Sequence, residues 1–386
     1  MKRLFLLLAF LVVPAPAAVA DGCPPVTCGT SSSAVPGSRT LALRPSGSAG
    51  PLVAYDLVSG TKRFVLGSGL LSADGTRFFT AVQRRPDTTF ARYDARTGAK
   101  RSVWSIRGRW SLGAVSASGR WLVAVWYARK STRLAIVDGL RGDLRASVTL
   151  HGNNQVESVS PNGSRLFLVH YLRNGYDLQQ YDFASRRLLP TKLADPDEKM
   201  SGVAWGAVAT RNARWLLTLY LKPDGTAFVH ALDLRSGIAH CIDLPEAEND
   251  FAMHGSYTMS LSPDERTLYM ANALIGVVHS IDLRRLRVAR SVEFRPQVSG
   301  LEFGVGPNSA VSPNGRMVYF SSGRSVWAYD AAYGKVRGPY VVAPLNQGAQ
   351  VATAGLGFTP DGRRVVAIRN DQEVVRLDAA TGRKIR

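Results

Sequence analysis

Short apolar runs, each closed by an aspartate, recur along the chain. The runs alternate apolar with polar positions and are rich in β-branched and aromatic residues, which predicts antiparallel β-strands; helical spacing is nowhere sustained. The seven intervals from the first closing aspartate to the last cover 322 residues, a mean of 46. The closing aspartates are Asp56, Asp94, Asp138, Asp182, Asp233, Asp282, Asp330 and Asp378.

A second signature, a tight turn, lies between successive closing aspartates. Residues 160–163 and 312–315 read Ser-Pro-Asn-Gly, and residues 359–362 read Thr-Pro-Asp-Gly. Proline presets the first turn position, Asn or Asp accepts local N–H groups, and glycine tolerates a positive φ. The two signatures divide each unit into four strands. A unit of this length cannot bury its own hydrophobic faces, so we expect the copies to stack on one another.

The unit that contains Asp264 carries a family resemblance. Residues 262–272 (SPDERTLYMAN), followed by residues 280–283 (SIDL), resemble the YVTN repeat, with Met270 and Ala271 in place of the usual Val and Thr/Ala. The wider Ser-Pro-Asp-Gly pattern is similar to the WD40-like propellers of secreted and periplasmic bacterial proteins, including TolB-type repeats. The resemblance implies an all-β propeller of four-stranded antiparallel blades over residues 35–386. It implies little about activity.

The eight closing aspartates favour eight blades. The inner strand of the first unit is weak, because residues 31–35 are its only candidate. A ring of seven blades with one irregular unit is therefore the alternative. No additional strand follows the last unit to complete the first, so closure of the ring would depend on apolar packing between blades.

The first twenty residues have the features of a secretory signal peptide. Lys2 and Arg3 precede an apolar run over residues 4–13, and residues 18–20 (Ala-Val-Ala) form a cleavage site. This run is too short to span a bilayer, which takes about 20 residues, and no later segment is longer. We therefore expect no transmembrane segment after cleavage, a secreted or periplasmic location, and a short N-terminal segment over residues 21–34.

Cys23 and Cys28 lie in that N-terminal segment. In an oxidising compartment a local disulfide between them is expected, while a metal site is disfavoured because no histidine lies nearby. Cys241 is left over, and its strand-like surroundings are typical of a buried thiol.

The formal net charge is +19, of which Lys2 and Arg3 would leave with the signal peptide. A strongly basic chain favours anionic partners. Basic residues are, however, scattered through every unit without a run of five, which an arginine-rich composition also explains. Nucleic acid is not expected, because the chain looks exported and carries no recognisable nucleic-acid module. We expect a monomer that binds a protein or an anionic envelope component.

Polar residues precede several predicted innermost strands, in segments that would open on the axial channel of a propeller. They predict a cluster at one mouth of the channel, with ordinary solvated loops as the alternative. The candidate residues are His151, Asn154, Asp250, His254 and Glu302.

Catalytic signatures are missing from the sequence. No H-E-x-x-H, C-x-x-C or G-x-S-x-G motif occurs, and one carboxylate per turn is too few for calcium. No metal or cofactor is expected. The sequence therefore favours a non-enzymatic binding module. The alternative is a lactonase-like or other small-molecule hydrolase in the axial funnel, which would require the polar candidates to meet in one pocket.

Overall fold

The computed structural model describes residues 31–44, 51–172, 175–194, 202–245, 251–295, 308–343 and 351–385. These residues form consecutive strands and one short helix, α1 (Phe251–His254). The strands are β1 (Ser31–Ala34), β2 (Thr40–Arg44), β3 (Pro51–Asp56), β4 (Lys62–Leu71), β5 (Arg77–Arg84), β6 (Asp87–Asp94), β7 (Lys100–Arg107), β8 (Ser111–Val115), β9 (Trp121–Ala128), β10 (Ser131–Asp138), β11 (Leu144–His151), β12 (Asn154–Val159), β13 (Arg165–Leu172), β14 (Gly175–Asp182), β15 (Arg187–Pro190), β16 (Lys192–Leu193), β17 (Val203–Ala209), β18 (Trp215–Leu221), β19 (Ala227–Asp233), β20 (Ile238–Asp243), β21 (Thr258–Leu261), β22 (Thr267–Asn272), β23 (Val277–Asp282), β24 (Arg287–Glu293), β25 (Ser309–Val311), β26 (Met317–Ser322), β27 (Ser325–Asp330), β28 (Lys335–Val341), β29 (Thr353–Phe358), β30 (Arg364–Arg369), β31 (Val374–Asp378) and β32 (Lys384–Ile385).

Consecutive strands pair antiparallel in groups of four. Strand β4 belongs to two groups, because its first part pairs with β3 while Gly69–Leu71 pairs with β5. The described strands thus fall into eight four-stranded units, and the short β16 adds to β20 in parallel. We number them unit 1 (β1–β4), unit 2 (β4–β7), unit 3 (β8–β11), unit 4 (β12–β15), unit 5 (β17–β20), unit 6 (β21–β24), unit 7 (β25–β28) and unit 8 (β29–β32).

Hydrophobic clusters fill the spaces between neighbouring units. Phe167 of unit 4 packs with Leu216 of unit 5. Equivalent clusters join each of the remaining pairs of consecutive units, from units 1 and 2 to units 7 and 8. The last cluster brings Ile368 of unit 8 against Leu41 of unit 1, and β1 also contacts β29. The units therefore close into a ring. The predicted all-β propeller of four-stranded antiparallel blades is confirmed.

The first blade begins with strand β1, which pairs with β2 from Ser31 onward, within the candidate range of residues 31–35. The register from Ser31↔Arg44 to Ala34↔Leu41 supplies the inner strand that was weak in the sequence.

The closing aspartates end the third strand of each unit, as predicted, and their carboxylates stabilise the turn that follows. Asp56 Oδ1 accepts hydrogen bonds from the N–H groups of Val58 and Ser59 at 2.9 and 2.8 Å. The other seven aspartates accept from one or two N–H groups in the same way. Their oxygens are therefore engaged in turns.

The second signature forms the turn between the first and second strands. Ser312 Oγ donates to Asn314 Oδ1 at 2.7 Å and accepts from the N–H of Met317 at 2.8 Å. Gly315 has a φ of +74°, which confirms the positive φ that the sequence required there. Ala213 and Glu265 occupy the same turn position with φ of +58° and +57°.

Gly315→Val is expected to destabilise the protein by about 1–3 kcal/mol, because a β-branched residue resists a positive φ. The matched change, Ala213→Gly, removes a strained side chain from the equivalent turn and should be neutral or stabilising. Denaturant midpoints of both variants measure the two effects. A midpoint of Gly315→Val equal to that of wild type would contradict the role of this turn.

The four-strand meander gives the ring two unlike faces. The turn face carries the connections from first to second and from third to fourth strands. The entry face carries the connections from second to third strands and from each unit to the next. In the described part of the chain, no helix is long and apolar enough to cross a membrane.

Candidate functional site

The candidate residues from the sequence fall in separate places. His151 is the exposed last residue of the outer strand β11, not part of a loop as predicted. Its carbonyl accepts a hydrogen bond from Asn154 Nδ2 at 2.9 Å, and Asn154 is buried at the start of β12. His254 ends α1 and is 1% exposed. Asp250 and Glu302, like Cys23 and Cys28, lie outside the described residues.

The described candidates do not form one pocket. His151 and Asn154 lie together at the boundary of units 3 and 4, whereas His254 precedes the inner strand of unit 6. Units 4 and 5 separate the two histidines along the ring. A shared acid–base site between them is therefore not formed.

His254 belongs to a buried chain of polar rings instead. Its ring lies 6.0 Å from that of Tyr257, whose hydroxyl is 3.2 Å from Nε2 of His279. Nδ1 of His279 lies 2.8 Å from Ser291 Oγ on the outer strand β24. Burial lowers the pKa of His254, with a smaller opposing effect of the Gly225 carbonyl, and burial lowers the pKa of His279 to about 4. Both rings are neutral at pH 7 and have almost no contact with solvent, and His279 links Tyr257 to the outer strand β24.

The helix α1 is also fixed from the axial side. Trp205 on the inner strand β17 is 44% exposed, and its Nε1 donates to the carbonyl of Gly255 at 2.6 Å. Asn272 at the end of β22 donates through Nδ2 to the carbonyl of Met253 at 2.7 Å. The end of α1 is thus anchored to both neighbouring units. Trp205 is exposed because the inner strand β17 is poorly covered.

A cluster of cations occupies the entry face of units 2 and 3. All six side chains are exposed, and none forms an ion pair with a described residue. The six side chains lie on or next to three connections, those between β5 and β6, between β7 and β8, and between β9 and β10. Asp87 is the acidic residue of this region. The six residues, called the basic patch below, are Arg84, Arg85, Arg107, Arg109, Arg129 and Lys130.

Direct contacts hold the three connections of the basic patch side by side. The N–H of Gly108 donates to the carbonyl of Pro86 at 2.9 Å, which joins the first two connections. The rings of Trp110 and Trp126 meet edge to face at 5.9 Å, which brings the third connection against the second. The N–H of Gly152 donates to the carbonyl of Lys130 at 2.9 Å, so His151 lies at the edge of the patch.

Two threonines hold the connections between units 2 and 3 and between units 3 and 4 through hydrogen bonds to their backbone. Thr88 Oγ1 donates to the carbonyl of Gly108 at 2.7 Å and accepts from the N–H of Trp110 at 2.9 Å. Thr132 makes the same pair of bonds to Gly152 and Asn154, each at 2.9 Å. These backbone ties give the patch a fixed geometry before any partner binds.

The turn face has a different charge arrangement. There, Arg39, Arg214 and Arg316 lie 3.2, 3.7 and 3.5 Å from closing aspartates of their own units. Each such pair neutralises part of the positive charge of that face. Other exposed arginines of the turn face, such as Arg96, Arg141 and Arg284, form no ion pair with a described residue, so the two faces differ in how their cations are grouped and not in the sign of their charge. The signal in the sequence is two adjacent basic pairs, at 84–85 and 129–130, each much shorter than a run of five.

No group of three or more His, Cys, Asp and Glu side chains that could hold a metal ion occurs among the residues the structure describes.

Comparison with solved structures places the fold. The chain resembles the C-terminal WD40 domain of Sif2 with a TM-score of 0.53 and 12% identity, covering 91% of this chain and 95% of that one. The chain shares the β-propeller fold of that domain. The dihydro-heme d1 dehydrogenase NirN also matches, with a TM-score of 0.53 and 16% identity over 90% of this chain and 72% of that one. At these identities the likeness shows the fold alone. No protein-family model and no curated protein matches the sequence.

Proposed function

We propose that this propeller is an exported, non-enzymatic binding module that holds an anionic partner, an acidic protein or an anionic envelope component, on its basic patch. The observation that carries the proposal is the set of six exposed cations, without ion pairs to described residues, on three adjoining connections. Unpaired surface cations on one face attract anions and increase the rate of encounter.

The rigidity of the patch supports binding. Thr88 and Thr132 hold the connections through hydrogen bonds to backbone groups. The backbone of the connections is therefore already ordered when a partner binds. A preorganised surface loses less conformational entropy on association. The exposed ring of Tyr127, which is 50% accessible beside Arg129, adds apolar contact area.

Hydrolysis in the axial funnel receives less support. General acid–base catalysis needs a titratable group within hydrogen-bond reach of the substrate. His254 and His279 are 1% exposed and neutral, and His151 lies on another unit. Binding therefore accounts better for the described residues than catalysis does.

The proposed location outside the cytoplasm rests on the N-terminal signal features, namely Lys2, Arg3, the apolar residues 4–13 and the small residues 18–20. An envelope supplies acidic proteins, anionic lipids and anionic polymers, any of which the patch would attract.

Arg84→Ala/Arg85→Ala/Arg129→Ala is expected to weaken binding to polyglutamate or to phosphatidylglycerol vesicles about tenfold at low salt, since each exposed charge pair contributes roughly 0.2–1 kcal/mol. The matched control, Arg96→Ala/Arg141→Ala/Arg284→Ala, removes the same charge from exposed positions of the turn face. It should bind almost as well as wild type. Titration calorimetry and vesicle co-sedimentation measure the two probes separately.

Salt distinguishes the outcomes of that experiment. Wild-type binding should fall as ionic strength rises, because exposed charges are screened beyond about 8 Å at physiological salt, and the patch variant should depend less on salt. Equal losses in both triple variants would mean that total charge alone matters. Undiminished binding by the patch variant would exclude the patch.

A further inference from the structure

A cavity of about 790 Å³ opens on the turn face between units 3 and 4. The basic patch lies on the other face of the ring, the entry face. Its walls come from the outer strand β11, from the turn at residues 162–164 and from the end of β14 with the turn that follows. Small-molecule sites commonly occupy about 300–1,000 Å³, so the space suits a ligand of a few rings.

One wall of the cavity is aromatic. Tyr181 and Phe183 meet edge to face with ring centroids 4.9 Å apart, and Trp121 lies at the base. Phe183 is only half-buried, so part of its ring is open to the cavity. The Nε1 of Trp121 is buried and has no hydrogen-bond partner among the described residues. Native proteins pair most such groups, so a buried donor in a cavity wall is unusual.

Two cations also line the cavity. Arg145 on β11 and Arg186 in the turn after β14 are both exposed cavity residues, and neither forms an ion pair with a described residue. The guanidinium of Arg145 lies 5.8 Å from the Trp121 ring, which positions it beside the aromatic base. A guanidinium binds a carboxylate through two parallel hydrogen bonds.

Hydroxyl and amide groups complete the lining. Ser147 lies two residues beyond Arg145 on the same strand, and Asn162 stands on the neighbouring turn. Asn162 Oδ1 accepts from Ser160 and Ser164, which fixes the side chain and leaves its amide N–H groups for a ligand. The cavity thus combines ring faces, two cations and groups that can bind hydroxyls.

We propose that this cavity binds an acidic sugar, such as a uronic acid unit of a saccharide. The face of the sugar ring would lie on Phe183, its carboxylate between Arg145 and Arg186, and its hydroxyls toward Ser147 and Asn162. The hydroxyl of Ser147 and the amide of Asn162, beside the exposed part of an aromatic ring, suit the hydroxyl groups and the apolar face of a sugar ring. This site is separate from the basic patch and goes beyond the proposed function.

The experiment measures binding of tri-galacturonate and of neutral maltotriose to the purified protein by titration calorimetry. We expect tri-galacturonate to bind and maltotriose to bind at least about tenfold more weakly, because the charged hydrogen bonds are missing. Arg145→Ala/Arg186→Ala should lose most of the tri-galacturonate binding. Arg96→Ala/Arg284→Ala, which removes two exposed arginines of the same face outside the cavity, should retain it.

A second variant checks the ring contact. Phe183→Ala should weaken both sugars while its unfolding midpoint stays close to that of wild type, since this side chain is only half-buried. Equal binding of tri-galacturonate to wild type and Arg145→Ala/Arg186→Ala would overturn the proposal. No binding of tri-galacturonate to wild type, or binding of an acidic peptide at this cavity in its place, would overturn it as well. The basic-patch triple variant should keep the part of the tri-galacturonate binding that Arg145→Ala/Arg186→Ala removes, even if it loses binding at the patch. Failure of the cavity site and failure of the proposed function are therefore distinguishable.

Discussion

Glu157→Gln is expected to gain stability relative to wild type as the pH rises, by about 3 kcal/mol between pH 5 and pH 9. Glu157 is 2% exposed on the inner strand β12, and burial raises its pKa from 4.5 to about 7. The folded state therefore favours the protonated carboxyl. That contribution is fully present below the unfolded pKa and is lost as the pH rises through about 7. Glutamine has no such loss.

Urea unfolding of both proteins at pH 5, 7 and 9 measures the effect. Burial also lowers the pKa of His230 and of His279 to about 4, so both proteins lose stability in acid; these contributions cancel in the difference. Glu293→Gln changes an exposed carboxyl on the outer strand β24 and serves as the control. A difference between Glu157→Gln and wild type that does not change with pH would show that Glu157 is solvated in the folded state.

Leu41→Ala is expected to cost about 2–5 kcal/mol, because it deletes a fully buried side chain where the ring closes. Leu41 is 0% exposed and packs with Val366 and Ile368 of unit 8. The packing is close: a Cβ at Gly357 would lie 2.8 Å from Leu41 Cδ1. The space left by alanine cannot be refilled without moving β29.

Denaturant unfolding of Leu41→Ala and of Leu189→Ala compares the closing interface with an exposed leucine on β15. The control should change stability by no more than about 0.5 kcal/mol. A loss for Leu41→Ala as small as that of the control would mean that units 8 and 1 do not close the ring through this cluster.

The turns could be predicted from the sequence because their chemistry is local. Each closing aspartate, such as Asp56, accepts hydrogen bonds from N–H groups within three residues of itself. A short segment of sequence therefore suffices to predict its role. The positive φ of Gly315 follows from the same local pattern. The stacking of units was likewise predictable, because strands of this length cannot bury their faces alone.

The candidate site was less predictable because it depends on which units become neighbours. His254 precedes an inner strand, as His151 does, but the loop of unit 5 and the ring of Tyr257 cover it. The three connections of the basic patch are separated by about twenty residues from one to the next, and only the ring brings Arg85 and Arg129 to one face. Their lack of ion pairs depends on where the aspartates lie in space, which a sequence pattern of single charges does not show.

Hydrogen–deuterium exchange of the free and bound protein tests the central claim most directly, namely that an anionic partner is held by the basic patch. The probe is polyglutamate or phosphatidylglycerol vesicles, whichever binds in the salt-dependent assay. The account predicts slower exchange in residues 84–90, 107–111 and 127–132, with unchanged exchange in the turn-face segments 94–99 and 282–287. Protection confined to the turn face, binding without protection of the patch, or no binding of either probe would contradict it.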